Sequence, residues 1–214
     1  MTAAMTGAEI AATVTPPPTP WLMSGRLFMG LFRSEQEAPR ELPARLAPLL
    51  AGHRVVAVIR YCEGTLRYDE LIIGRLARYG RKPGLFVDYI WVDSRESVAG
   101  GRRIWGLPKE LAEFCWNGDR VTVRDAQGEL ATLTVNQSPA WLPEIPMRAP
   151  GFGQRDGQLL LVPGRLRVRL RGASLRLESL APRLGRLPRK PWLGCDAVPF
   201  TLDIGDARIL EQAP

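Results

Sequence analysis

Lysine is scarce in this sequence. Only Lys82, Lys109 and Lys190 are present among 29 basic residues, the other 26 being arginine, so chemistry that needs a neutral amine has few places to reside. Histidine is scarcer still. His53, in AGHRVV, is the single one; it reads as a surface or capping residue at a loop-to-strand junction, and its solitude excludes histidine-cluster metal sites and most Ser/His/Asp arrangements. Cys62, Cys115 and Cys195 are odd in number and stand in no CxxC pair, which argues against a disulfide framework or a zinc site and reads as buried thiols. No stretch has the roughly 18 apolar residues of a membrane helix. The N-terminus lacks the basic start and continuous apolar run of a signal peptide. The expected compartment is the cytoplasm, with no membrane contact, no metal and no cofactor.

What is there is ordinary for a folded domain. The 214 residues are 45% hydrophobic and 24% charged, enough for one domain with a real core. Residues 1–20 carry one charge and close on a proline run, a composition that reads as a flexible lead-in, leaving 21–214 as a single domain. The net charge of +7 is uneven, since residues 151–190 hold ten basic residues against Asp156 and Glu178. Clustered arginine is the electrostatic footprint of phosphate binding. Here it alternates strictly with Leu166, Val168 and Leu170 in LRVRLRG, the pattern of a half-buried strand with a solvated outer face. No nucleic-acid motif accompanies it, so no nucleic-acid partner is expected.

Hydrophobic patterning predicts a chain rich in strands. GRLFMGLFR (25–33), RVVAVIRY (54–61), RYDELIIGRLARY (67–79) and GLFVDYIWVD (84–93) read as strands, the second buried on both faces. ELPARLAPLLAG (41–52) has leucines at helical spacing broken by Pro43 and Pro48, and predicts a short helix. SRESVAGG opens on a serine cap and predicts one or two helical turns ending at the glycines. EFCWNGDRVTVRDAQGELATLTVN predicts an antiparallel meander turning at Asn117-Gly118 and at 126–128. Residues 138–157, rich in proline and glycine, read as a crossing loop, after which strands resume.

Lys109 differs from the other lysines in its setting. Ile104, Trp105, Leu107 and Pro108 precede it; Leu111, Ala112 and Phe114 follow. Such surroundings can desolvate an ammonium, and bringing a lysine from about 10.4 to about 7 takes on the order of 4 to 5 kcal/mol against the charged form. The product is a nucleophile able to form a Schiff base with a ketone. The alternative is a lysine that caps a turn and reaches for water.

SRESVAGGRRIWGLPKELAEF resembles the signature of the acetoacetate decarboxylase superfamily, in which a Gly-Arg pair and an aromatic-x-x-Pro-Lys run precede the Schiff-base lysine. The resemblance implies an α+β fold, mainly antiparallel β, curled into an open barrel with a few short helices. It implies Lys109 as nucleophile and Glu70, in RYDEL, as the proton-shuttling carboxylate. Around a largely apolar cavity it places Arg26, Trp105 and Glu110 as substrate-binding residues, Arg26 holding a substrate carboxylate. Two positions depart from the pattern: Glu110 stands where the decarboxylases carry a second lysine, and RVVAVIRY lacks their further carboxylate. The expected function is that of a Schiff-base lyase on a small keto acid, of decarboxylase or of aldolase or dehydratase type, in a homo-oligomer. The alternative is a non-catalytic protein binding a carbonyl or apolar ligand in the same cavity.

Overall fold

The computed structural model describes residues 5–34 and 41–211, the side chains of 137–142, 173, 174 and 211 excepted. Helix α1 (Gly7–Thr13) precedes β1 (Trp21–Arg33), β2 (Ala47–Pro48), β3 (His53–Gly64), β4 (Tyr68–Tyr79) and β5 (Lys82–Val92). Helix α2 (Arg95–Trp105) and the short β6 (Lys109–Leu111) follow, then the meander β7 (Glu113–Asn117), β8 (Arg120–Asp125) and β9 (Gly128–Arg148). The chain ends with β10 (Gly151–Arg155), β11 (Gln158–Val162), β12 (Gly164–Leu180), β13 (Leu193–Ile204) and β14 (Arg208–Glu211).

All strands belong to one sheet, ordered β14-β11-β10-β5-β4-β3-β1-β13-β12-β9-β8-β7, with β2 on β4 and β6 on β5. Pairing is antiparallel except where β5 meets β6 and β10. The ends β14 and β7 do not join. The curled sheet is therefore an open barrel in the α+β class, as the resemblance implies.

Both faces of the central strands are buried, which explains the continuous apolar run of β3. Phe28, Phe32, Val56, Val58, Leu71 and Ile73 point to one side and meet Val121, Val123 and Leu133 of the meander. Trp21, Met23, Ile59, Tyr61, Tyr68 and Val92 point to the other and pack with Ile10 of α1 and Val98 and Trp105 of α2. Each fully buried large aliphatic side chain contributes about 1.5–3 kcal/mol. The second face carries the lysine.

Several local expectations change on folding. Residues 7–13, read as part of a flexible lead-in, form α1: the Thr6 hydroxyl accepts from the Glu9 N–H while the Glu9 carboxylate accepts from the Thr6 N–H, a capping box, and Ile10 is fully buried. Residues 1–4 of that lead-in lie outside the described residues. Segment 41–52 is not helical; its prolines leave turns and the two-residue β2. Residues 138–148 extend β9 and 151–155 form β10 instead of a loop. Prolines are tolerated there because β8 pairs only with residues 128–134, leaving the rest of β9 as an edge. Cys62 and Cys115 are exposed, not buried. Arg171 departs from the solvated arginine row: it is buried against Asp196 at 3.3 Å, where a register shift between Val168 and Leu170 interrupts the alternation.

Candidate active site

Helix α2 builds the roof of the site. The Ser94 hydroxyl caps its start by accepting from the Ser97 N–H at 3.1 Å, Arg102 and Arg103 complement its C-terminal end, and Gly106 closes it at φ 64°. The helix runs on through Gly100 and Gly101 instead of stopping there. Interior glycines cost about 1 kcal/mol each relative to alanine, and packing explains them. A Cβ on Gly100 would sit 2.5 Å from the Trp21 ring, and one on Gly101 2.7 Å from Lys109 Cγ. The bare backbone of Gly101 is what lets the lysine stem lie against the helix.

Beyond Gly106 the chain returns as β6, parallel to β5, with Lys109 opposite Ile90. Lys109 is 3% exposed and Glu70 4%. The amine donates to Glu70 Oε2 at 2.7 Å, to Ser97 Oγ at 2.9 Å and to the Tyr68 hydroxyl at 3.4 Å, and lies 5.0 Å from the centre of the Tyr68 ring. The Tyr61 hydroxyl donates to the other Glu70 oxygen, Oε1, at 3.2 Å. The amine is thus surrounded by a carboxylate and hydroxyls, where hydropathy alone suggested a mainly apolar lining. Burial, and then the charge of Glu70, pushes both phenols well above the ordinary tyrosine value. They stay protonated, as donors.

The sheet register explains which acid of RYDEL meets the lysine. Leu27, Ile59, Glu70 and Val92 lie directly across from one another, and residues so paired share a face. Asp69 therefore faces the other side, where Trp116 Nε1 donates to it at 2.9 Å and Arg60 lies at 3.4 Å. Burial raises the Asp69 pKa, opposed by the Trp116 hydrogen bond and the Arg60 charge.

Of the five residues expected at the site, the structure brings two together, Lys109 and Glu70. Arg26 pairs with Arg60, which pairs with Asp69, so alternation sets it on the face opposite Glu70, and it is exposed. Trp105 stays in the core beneath the site, its indole N–H given to the Gly205 carbonyl at 2.9 Å and its ring edge-on to Trp21 at 4.7 Å. Glu110, the next residue after Lys109 in a strand, turns away from the amine; it accepts from the Gly7 N–H at 2.7 Å and from Arg102, whose Nε also donates to the Lys109 carbonyl at 2.6 Å. Sequence reasoning missed Tyr61, Tyr68 and Ser97. Tyr68 carried a signal, two positions before Glu70 in a strand and hence on its face, whereas Tyr61 needs the β3–β4 register that sets it across from Tyr68.

A cavity of about 730 Å³ opens elsewhere, across β1, β13, β12 and β9, with Met23, Leu202, Asp203, Arg165 and Arg167 in its wall. Lys109 does not line it. Among the described residues no cluster of His, Cys, Asp and Glu could hold a metal ion, and no helix is long and apolar enough to cross a membrane.

The fold and a buried lysine on a carboxylate define a class, and comparison with known proteins gives it a family. The family model for acetoacetate decarboxylase matches residues 3–148. The chain belongs to the acetoacetate decarboxylase family. A curated acetoacetate decarboxylase of Acidiphilium cryptum (strain JF-5) is 49% identical over 35 residues, which is 16% of this chain and only 14% of that protein. The crystal structure of acetoacetate decarboxylase from Legionella pneumophila superposes with a TM-score of 0.70 at 18% identity, over 92% of this chain and 90% of that one. The enduracididine biosynthesis enzyme MppR, solved with pyruvate, gives 0.56 at 18% identity, over 96% and 95%. At such identities the two solved structures establish the fold.

Proposed function

We propose that the protein is a Schiff-base lyase acting on a small keto acid, with Lys109 as nucleophile and Glu70 as proton shuttle. The observation that carries this reading is the 2.7 Å contact between Lys109 Nζ and Glu70 Oε2, both nearly sealed from water. An ion pair placed there for stability alone is a poor investment, because desolvating two charges offsets much of their attraction. A proton-exchanging pair has a use. Passing a proton to Glu70 leaves an amine that attacks the substrate ketone; loss of water gives a protonated imine, which accepts the electron pair released when the adjacent carbon–carbon bond breaks. Glu70, reprotonated from water after decarboxylation or by the substrate hydroxyl in retro-aldol cleavage, then gives a proton to the carbon of the resulting enamine, and water hydrolyses the imine to free product and lysine. Decarboxylation and retro-aldol cleavage share every step up to the bond that breaks. That MppR was solved with pyruvate supports a small carbonyl substrate for this fold. Arg26 has no part in the mechanism, its face of the sheet being the wrong one.

The runner-up is a binding protein without catalysis, favoured by the cavity on β1, β13, β12 and β9, which is separate from Lys109. The two separate on trapping. Borohydride added with acetoacetate or pyruvate should raise the intact mass by one reduced adduct, and Lys109→Ala should abolish the increase. Absence of an adduct with every keto acid tried selects the binder. The family resemblance extends the proposal to a cytoplasmic homo-oligomer, which light scattering on the purified protein tests; a monomer mass removes it.

A further inference from the structure

We propose that Tyr68 is a further catalytic residue, relaying a proton between nitrogen and oxygen when the amine adds to the ketone, and that Tyr61 positions Glu70 for the same step. This rests on the Schiff-base reading and deepens it. Tyr68 and Glu70 project from one face of β4, two residues apart, and Tyr61 lies directly across from Tyr68 on β3, the rings 4.5 Å between centres. The Tyr68 oxygen accepts from Lys109 Nζ at 3.4 Å, and its own proton, now shared within the cluster of Glu70, Ser97 and Tyr61, can pass to a substrate oxygen instead. An oxygen bonded to a carbon bonded to Nζ falls within reach of that proton.

The step balances. Addition of the neutral amine forms the N–C bond and moves the carbonyl π pair onto oxygen, giving a positive nitrogen and a negative oxygen. Tyr68 gives its proton to that oxygen and takes one from the nitrogen, ending neutral as it began. Glu70, protonated by the original ammonium, then protonates the hydroxyl; the C–O bond breaks, water leaves with the electron pair, and the nitrogen lone pair closes the C=N bond. Glu70 is again a carboxylate. A relay of this kind needs a phenol that resists ionisation, and burial ensures that here. Tyr61, donating to Glu70 Oε1 at 3.2 Å, keeps Oε2 aimed at the amine.

The test is the rate of borohydride-trapped adduct formation with acetoacetate, followed by intact mass, for the wild type, Tyr68→Phe, Tyr61→Phe and Ser97→Ala. The expected result is a Tyr68→Phe rate lower by on the order of 10²-fold or more, the usual yield of a general acid–base group. Tyr61→Phe should lower the rate less and change its pH profile, since it alters how the carboxylate is held and not the relay. A wild type that forms no adduct defeats the Schiff-base reading itself. A wild type that forms it while Tyr68→Phe keeps pace within twofold overturns the relay alone, as does a loss confined to Ser97→Ala. Should Tyr68→Phe not fold, the wild-type rate in H₂O–D₂O mixtures decides: a curved dependence on deuterium fraction, from more than one proton in flight, supports the relay, and a linear one, from Glu70 alone, overturns it.

Discussion

Three ion pairs among the described residues, each with a buried carboxylate, are built differently. Arg75 grips Asp88 through two nitrogens, at 2.6 and 3.0 Å, and Arg171 lies on Asp196 at 3.3 Å. Lys109 meets Glu70 through one nitrogen, at 2.7 Å, and spreads its other donors over Ser97 and Tyr68. The arginine pairs hold strands in place with a charge that does not leave the guanidinium. The lysine pair surrounds a charge that can leave with groups able to receive it. In a chain with 26 arginines and three lysines, the third pair has a lysine, as the proposed nucleophile requires.

Exchanging residues between these pairs breaks the comparison most sharply. Lys109→Arg keeps the charge beside Glu70 but removes the nucleophile, so trapped adduct should fall to background while the protein remains folded by circular dichroism. Glu70→Gln should still form adduct, at a rate reduced by on the order of 10²-fold or more, because the hydrogen bonds remain but the proton acceptor does not. Arg75→Ala should leave adduct formation intact and lower stability in urea unfolding by less than the about 3–5 kcal/mol of a wholly stranded buried charge, because the Arg54 charge still acts on Asp88. Asp88 is 0% exposed, so water cannot take over from the arginine.

Smaller effects sharpen the picture of the lysine's bed. Gly101→Ala would drive a Cβ to within 2.7 Å of Lys109 Cγ and 2.9 Å of Cε; overpacking of this kind costs about 1–3 kcal/mol, and adduct yield should fall with it. The least is a pH effect. Folded Tyr61 and Tyr68 hold protons that the unfolded chain surrenders above about pH 10, so their contribution is level below that value and is lost as pH rises beyond it. A Tyr61→Phe, Tyr68→Phe double variant should show a shallower fall in urea midpoint between pH 9 and 11 than the wild type.

The burial of Lys109 was legible because the apolar run about it is local, whereas the contact with Glu70 was expected only from the resemblance carried by RYDEL. What failed needed information from across the sheet. Arg26 follows a glycine whose neighbours on both sides are offset by register shifts, and the strand's own pattern does not reveal which face follows such a shift. The two glycines of α2 read as a stop because their reason, the Trp21 ring and the Lys109 stem, comes from other elements. Helix α1 was missed despite a visible Thr-x-x-Glu box at Thr6 and Glu9, the proline run after it having set the reading of the whole segment. Glu110, expected near substrate, instead ties α1 and Arg102 to the lysine's strand.

The scarcity of lysine makes the most direct measurement unusually clean. After reduction with borohydride in the presence of a keto acid, peptide mapping should place the adduct on Lys109, with the exposed Lys82 and Lys190 unmodified. An adduct found on Lys82, on Lys190 or at the N-terminus, with Lys109 intact, would contradict the assignment of the buried amine as nucleophile.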